Sequence, residues 1–266
     1  MKLRFGSFLI VIALAGGLFL FIREGEHSQT PVPSPVSYSE ILTNETATTP
    51  GTTTQKTIKK PLTVVATTTE SDVPEQPQLP QAINLKVPFR SQAPFGDWSE
   101  PYENGCEEAS LIMVDYYYRS APLSAQAMKD AIDEQVSWQI TNWGSHDDIS
   151  TEKLIELAKV FYPYQTRILT PLTPALIYEE LVLGHPVIVP AAGRELHNPN
   201  FRQPGPLYHM LVIKGFTSDG KFITNDPGTR NGADYLYTES TLMSAIHDWT
   251  GAAPDGPAVG VVLIPL

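Results

Sequence analysis

The sequence predicts an α+β domain over residues 83–266, on three observations. Apolar residues recur at helical spacing in several stretches, which is typical of amphipathic helices packed on a core. Short apolar runs bounded by turn residues alternate with these stretches, as buried strands do. No internal repeat is present, and apolar residues make up 42% of the chain, so one ordinary hydrophobic core is expected.

Four helices are predicted, over residues 106–119, from the favoured N-cap residue Ser124, over 149–161 and over 173–184. In the first, Asp115 and Arg119 are spaced as an exposed i,i+4 ion pair. The fourth opens at Thr173-Pro174 and stops at Gly184. This matches the preference for proline at the first helical position and glycine just past the last.

Strands are predicted over residues 186–189, 208–216, 221–225, 233–237 and 258–264. Turn residues occupy positions 217–220, between the second strand and the third. These two strands are therefore expected to form an antiparallel hairpin.

The first 22 residues predict a membrane anchor. Phe5–Ile22 is an apolar run of 18 residues without a charge, which as a helix is about 27 Å long and close to the thickness of a bilayer core. Lys2 and Arg4 precede it, so the N-terminus is expected in the cytoplasm and the rest of the chain outside. A cleaved signal peptide with a small-residue site at 13–15 is the alternative, but the apolar run continues beyond that site.

Residues 23–82 predict a disordered stalk. The 50 residues from Pro31 to Pro80 contain 8 Pro and 12 Thr, a composition that buries too little apolar surface to offset chain entropy. We expect an extended, flexible segment that holds the domain away from the membrane.

The charge balance excludes one large class of partners. The chain carries a formal charge of −11, and residues 83–266 alone hold 12 Lys and Arg against 22 Asp and Glu. Without a basic stripe the domain is a poor nucleic-acid binder, because phosphate contacts need clustered Lys and Arg. The predicted partners are a peptide or protein substrate and, through the N-terminal helix, the membrane. The chain is expected to act as a monomer without cofactor or metal.

Cys106 is the only cysteine, so no intramolecular disulfide can form, and it opens the first predicted helix after Gly105. A helix N-terminus presents unpaired N–H groups and a partial positive charge, which lower a thiol pKa and favour thiolate. A buried structural cysteine is the alternative. Glu107 and Glu108 follow directly, so their side chains are expected to point away from a thiolate, or a strong cation must face it.

His209 begins an apolar strand, and its predicted partner is Asp226. The two positions are symmetric about the hairpin turn, so they are expected nearly opposite each other on adjacent strands, with Cβ atoms about 5 Å apart. A carboxylate there accepts the Nδ1 hydrogen of the imidazole, fixes its tautomer and stabilises imidazolium. The alternative for Asp226 is a turn aspartate before Pro227-Gly228.

Two loops carry further polar residues. His146 lies in the stretch 144–148, which we interpret as a polar turn because its metal-like residues are too few and too close in sequence for a site. Residues 192–206 form a long polar connection just before His209. Long loops in compact domains are often functional, so this one is either the rim of a cleft or a solvated crossover.

Four ordered stretches together resemble the bacteriocin-leader-processing (double-glycine) peptidase family, and more closely its stand-alone extracellular branch. They are Val87–Gln92, Gly105-Cys106 at a helix start, Tyr208–Phe216 and Thr224–Gly228. The resemblance covers residues 83–266. It implies a papain-like cysteine peptidase fold, in which a helical half carries the cysteine and a small antiparallel sheet carries the histidine and aspartate.

The resemblance also implies roles for four residues: Cys106 as nucleophile, His209 as general base and acid, Asp226 as the group that orients His209, and Gln92 as an oxyanion-hole donor. A well-placed oxyanion donor contributes about 3–4 kcal/mol. Glu107-Glu108 depart from the small or turn-forming residues expected after the cysteine. The sequence also has no phosphate-binding loop of the exporter to which the domain is fused in bacteriocin systems, so cleavage of a double-glycine leader is not carried over.

The predicted function is hydrolysis of a peptide or amide bond by a membrane-anchored, extracytoplasmic cysteine peptidase. The thiolate attacks the carbonyl, an acyl-thioester forms, and the histidine protonates the leaving amine and then activates water. Two alternatives stay open. A transpeptidase or crosslinking acyltransferase would replace water with another amine, and a non-catalytic peptide-binding module would keep the fold without turnover.

Overall fold

In a computed structural model of the 266-residue chain, residues 31–47 and 80–266 are described. The predicted membrane anchor lies outside these ranges, as does most of the predicted stalk. Within them, no helix combines the length and apolar character that a membrane span requires.

The helices and strands largely follow the predicted order. The helices are α1 Tyr38–Ala47, α2 Cys106–Tyr118, α3 Ala125–Trp143, α4 Thr151–Phe161, α5 Pro174–Val182 and α6 Glu239–Ala245. The strands are β1 Ile83–Asn84, β2 Tyr164–Leu169, β3 Val187–Ala192, β4 Tyr208–Phe216, β5 Lys221–Asn225, β6 Tyr235–Thr238 and β7 Gly260–Pro265. The predicted α+β class is confirmed, because helices pack on a single sheet.

The sheet has the order β2-β7-β3-β4-β5-β6, with β1 also paired to β4. Each of these strand pairs is antiparallel. β4 is buried at every position, so neither of its faces meets solvent. Both α2 and α5 pack against it. On α5, the ring of Tyr178 meets Phe216 edge-on, with ring centroids 4.7 Å apart.

α2 is the central helix, and all but two of its residues are buried. The predicted ion pair forms, with Arg119 Nη1 3.0 Å from Asp115 Oδ2. The expectation that the pair is exposed was wrong for Asp115, whose side chain is only 8% exposed and also accepts a hydrogen bond from the Tyr164 hydroxyl. The sheet edge therefore covers a side of α2 that its sequence alone suggests is solvated.

The β4–β5 hairpin has a different register from the predicted one. Val212 lies opposite Asn225, and the pairing shifts between Ile213 and Gly215, where a bulge adds a residue to one strand. The predicted pairing of His209 with Asp226 is therefore not formed. On the other edge of β4, His209 pairs with Ala191 of β3. Asp226 is the residue directly after β5.

Residues 31–47 differ from the predicted disordered stalk. Val36 forms a bridge with Leu85, Tyr38 meets the Tyr118 ring edge-on with centroids 5.0 Å apart, and Ile41 of α1 is buried. These apolar side chains of a Pro- and Thr-rich segment find a surface on the domain. The composition averages over the segment and does not reveal such a local docking site.

Candidate active site

A cleft of about 710 Å³ brings together three of the four residues chosen from the sequence. Cys106 lines it from the first position of α2, His209 from the second position of β4, and Gln92 from the loop that precedes α2. Asp226 does not line the cleft and is fully buried behind His209. The N-terminal end of α2 and the start of β4, which are far apart in the sequence, therefore meet at one cleft.

His209 and Asp226 are joined by a short hydrogen bond. Nε2 of His209 lies 2.7 Å from Asp226 Oδ1. The predicted use of Nδ1 was wrong, because Asp226 approaches from the end of β5 rather than from a cross-strand position. Among the residues that the structure describes, Nδ1 has no hydrogen-bond partner, which makes it the ring nitrogen available to a proton from the cleft.

Bare backbone at Gly228 makes room for the imidazole. A Cβ at this position would lie 2.7 Å from His209 Cε1 and 3.1 Å from Nε2. The Phe201 ring also packs edge-on against the imidazole, with centroids 5.3 Å apart. The His209 ring is thus held in one orientation by contacts as well as by Asp226.

Asp226 is fully satisfied as a carboxylate. Besides His209, Oδ1 accepts a hydrogen bond from the Gly228 N–H at 3.1 Å. Oδ2 accepts from the Tyr237 hydroxyl at 2.7 Å and from Asn198 Nδ2 at 3.1 Å. Burial alone would raise the pKa of this carboxyl, but the charge of His209 and the hydrogen bonds from His209, Tyr237 and Gly228 lower it below its usual value. Asp226 is therefore held as a carboxylate against His209.

Asn198 and Tyr237 were not predicted from the sequence. Asn198 lies in the long polar connection before His209, for which the sequence predicts either a cleft rim or a solvated crossover. Its side chain also donates to the Tyr237 hydroxyl, at 2.8 Å. Tyr237 is one of several strand tyrosines, and nothing in its sequence context marks it.

Gln92 is placed beside the cleft but with other hydrogen bonds than the predicted ones. Its Nε2 donates to the backbone carbonyls of Tyr102 and Glu103, at 3.0 and 2.9 Å. Both amide hydrogens are thus used to hold the turn that leads into α2, which leaves none for an oxyanion in this arrangement. Its Oε1 is buried without a partner among the described residues.

The family model that matches the sequence is that of the Peptidase_C39 like family, and it covers residues 84–252. The chain belongs to the Peptidase C39-like family. All four residues chosen from the sequence fall within the matched range, and the resemblance to double-glycine peptidases agrees with it.

Two other comparisons add less. Solved structures that match include the crystal structure of a Bacillus anthracis protein assigned to the C39-like peptidases. It is 17% identical, with a TM-score of 0.45, and the match covers 68% of this chain and 96% of that one. No curated protein matches the sequence.

In this C39-like peptidase family member, a carboxyl contacts the thiol directly. Cys106 Sγ donates a hydrogen bond to Glu107 Oε2 at 3.0 Å, and Glu107 Oε1 accepts from the Ile149 N–H. Of the two arrangements expected beside a thiolate, the one in which Glu107 points away from the sulfur is therefore not observed. Burial and the nearby charge of Glu108 raise the pKa of Glu107 to about 8.

The electrostatics at Cys106 differ from the predicted ones. Burial, followed by the charges of Glu107, Asp148 and Glu108 and the hydrogen bond to Glu107, raises the thiol pKa well above its usual value. The helix N-terminus was expected to lower the thiol pKa, and the shift is in the opposite direction. The resting state is therefore a neutral thiol.

A second buried acid lies behind the first. Glu108 Oε1 accepts a hydrogen bond from Gln139 Nε2 and lies 3.5 Å from His146 Nε2. The side chain of His146, which lies in the stretch interpreted as a polar turn, is only 5% exposed. Burial lowers the pKa of His146, but Glu108, with Glu107 and Glu100, raises it more.

Alkylation of Cys106 is expected to require alkaline pH. With the thiol pKa raised, modification by iodoacetamide should rise steeply only above the ordinary cysteine range of about pH 8.5. In Glu107→Gln the midpoint should move to lower pH, because the carboxylate that opposes thiolate formation is gone. The rate–pH profile, measured by intact mass, checks both. The exposed change Glu134→Gln is the control, and a wild-type midpoint below about pH 7 would contradict the proton assignment.

Proposed function

We propose that this chain is a membrane-anchored cysteine peptidase that hydrolyses a peptide or amide bond outside the cytoplasm, through an acyl-thioester on Cys106. One observation carries the catalytic part: Cys106 and His209 line one cleft, and His209 uses Nε2 for the buried Asp226 while Nδ1 stays available. The apolar run Phe5–Ile22 and the positive residues before it support the anchored topology.

In this mechanism, attack is coupled to proton transfer. Because the resting thiol is neutral, the Sγ–H proton moves to Nδ1 of His209 as the Sγ–C bond forms on the substrate carbonyl. The imidazolium is stabilised by Asp226 and gives the proton to the leaving amine as the C–N bond breaks. Water then loses a proton to the same nitrogen, attacks the thioester and releases the acid. Sγ takes the proton back.

Charge on the carbonyl oxygen needs donors near Cys106. The backbone N–H of Cys106 is available because the first residues of a helix have no acceptor within it. Gln92 supports this role by position, since it lines the same cleft. Its amide has to exchange the bond to Tyr102 or Glu103 for one to the oxyanion, so its contribution comes only with substrate bound.

Cleavage of a mixed peptide library in H₂¹⁸O tests the proposal. The full chain, held in mild detergent, is expected to produce new C-termini that carry one ¹⁸O. The Cys106→Ala variant should produce none. Identical cleavage by wild type and Cys106→Ala would contradict a thiol mechanism.

The same reaction separates hydrolysis from transpeptidation. With an added amine such as glycinamide, an acyltransferase gives a new amide bond and little ¹⁸O incorporation. A peptidase still gives mainly ¹⁸O-labelled acids. Predominant amide formation would overturn the hydrolytic assignment while leaving the thioester in place.

A further inference from the structure

Only some of the arginines of this acidic domain form ion pairs with carboxylates. Residues 83–266 contain six. Two of them, Arg119 and Arg167, form ion pairs with Asp115 and Glu180. Within the ranges that the structure describes, the other four, Arg90, Arg194, Arg202 and Arg230, have no carboxylate within 4 Å, although the domain has an excess of acids. Arg194 donates to the Gly205 carbonyl instead, at 3.4 Å, which leaves three.

These three arginines gather at the active-site cleft. Arg202 and Arg230 line the cleft that contains Cys106 and His209. Arg230 also lines an adjoining pocket of about 280 Å³, where Arg90 is a second wall residue. All three are exposed. The cleft and its neighbour therefore share a positive rim, which we call the arginine rim (Arg90, Arg202 and Arg230).

The acids of the cleft are not neutralised by this rim. Asp148 and Glu103 line the same cleft as Cys106. The charges that act on Asp148 are those of Asp147, His209 and His146, and no arginine is among them. The rim arginines are thus not paired with the acids of the cleft, and they are exposed to the space that a substrate enters.

We infer that the arginine rim binds a carboxylate of the substrate next to the scissile bond, so that peptides with an acidic residue or a free C-terminus there are preferred. The inference rests on the proposed peptidase function and names its substrate class. Arginine presents two parallel N–H donors that match a carboxylate. A domain with a net charge of −10 repels acidic peptides at longer range. Binding of such peptides therefore requires unpaired cations close to the cleft.

The test uses the full chain and matched peptides. Each peptide of a synthetic pool has a partner in which one Glu is replaced by Gln, and each is made with a free and with an amidated C-terminus. Cleavage is followed by mass spectrometry for wild type, for Arg202→Glu/Arg230→Glu and for Lys159→Glu. Lys159 is exposed on α4, away from the cleft, and its reversal changes the charge by the same amount per site.

The wild type is expected to cleave Glu or free-acid peptides faster than their neutral partners, by about two- to fivefold for each arginine engaged. The double variant should lose this preference, and Lys159→Glu should keep it. Comparison of internal Glu with the free C-terminus shows which carboxylate is bound. Cys106-dependent cleavage without any acidic preference, or with a preference that survives in the double variant, would overturn the inference and leave the proposed function standing.

A binding experiment distinguishes failure of the carboxylate inference from failure of the proposed peptidase function. Immobilised Cys106→Ala chain is expected to retain Glu peptides over Gln peptides, less so at about 0.5 M salt, where charges are screened beyond about 4 Å. Adding the two arginine reversals should abolish the selective retention. If wild type shows no Cys106-dependent cleavage, the proposed function fails. Selective retention that depends on the arginines would then still support carboxylate recognition, and its absence would overturn it.

Discussion

Replacing His209 with alanine is expected to lower kcat/KM by about 10⁴- to 10⁶-fold, because a neutral thiol with a raised pKa has no other base in position. Cys106 donates to Glu107, whose own carboxyl is largely protonated at neutral pH. Without Nδ1, neither thiolate formation nor protonation of the leaving amine is assisted. The effect should fall on kcat, since His209 is not needed to hold the peptide.

Steady-state kinetics on a peptide found by the library screen measure this effect. Alanine at position 209 leaves the buried Asp226 carboxylate without one of its donors and so can destabilise the fold. The variant His209→Gln is the control for this effect, because its amide can donate to Asp226 but cannot act as a base. His197→Ala, an exposed histidine outside the cleft, is the control. A loss of less than tenfold in folded His209→Gln would remove His209 from the mechanism.

Replacing Asp226 with asparagine is expected to lower kcat by about 10³- to 10⁴-fold with little change in KM. The buried carboxylate accepts four hydrogen bonds, from His209, Gly228, Tyr237 and Asn198. Asparagine has nearly the same shape but no charge, and its NH₂ group cannot accept. The imidazolium formed during attack then loses its counter-charge, and the tautomer with the proton on Nε2 is no longer enforced.

Two further variants separate positioning from folding. Tyr237→Phe removes one donor to Oδ2 and leaves Asn198, so it should cost only about tenfold in kcat and about 1–2 kcal/mol in the free energy of unfolding. Tyr235→Phe, on the same strand but without a bond to Asp226, should change neither. Thermal unfolding is measured in parallel. Equal activity in Asp226→Asn and wild type would show that the carboxylate is only structural.

The sequence identified residues that lie together in the site, but it did not predict which of their atoms make contact. Cys106 at a helix start and His209 with Asp226 could be chosen from spacing and residue type, and the structure brings these positions together. The His209–Asp226 contact is made for a different reason from the predicted one. The hairpin turn is centred further along the chain than predicted, with Phe216 opposite Phe222, and Asp226 reaches Nε2 from beyond the end of its strand.

The directions of several side chains in the site could not be predicted from the sequence either. The local sequence Cys106-Glu107 does not predict that the Glu107 carboxyl turns towards the sulfur. That orientation is held by a hydrogen bond from the Ile149 N–H, in a loop 42 residues away. The same holds for Gln92, whose amide is taken by two carbonyls of the turn before α2. Burial of His146 against Glu108 is likewise a contact between distant segments.

The elements that were missed depend on distant partners or are short. β2 alternates only weakly between half-buried and exposed positions and is stabilised by the C-terminal strand β7. α6 has seven residues and follows β6 without a break. α1 has a polar composition, and only its docking on the domain distinguishes it from the rest of the segment. Elements with strong local signals, such as α2 and the β4–β5 hairpin, were predicted close to their observed bounds.

Trapping the acyl-enzyme tests the central claim most directly. The full chain is mixed with a cleaved peptide, quenched in acid within seconds and examined by intact mass and peptide mapping. We expect an added mass equal to the acyl part of the substrate, located on Cys106, released by hydroxylamine as a thioester is and absent in Cys106→Ala. Substrate turnover with no adduct on Cys106, and with undiminished activity in Cys106→Ala, would contradict the account.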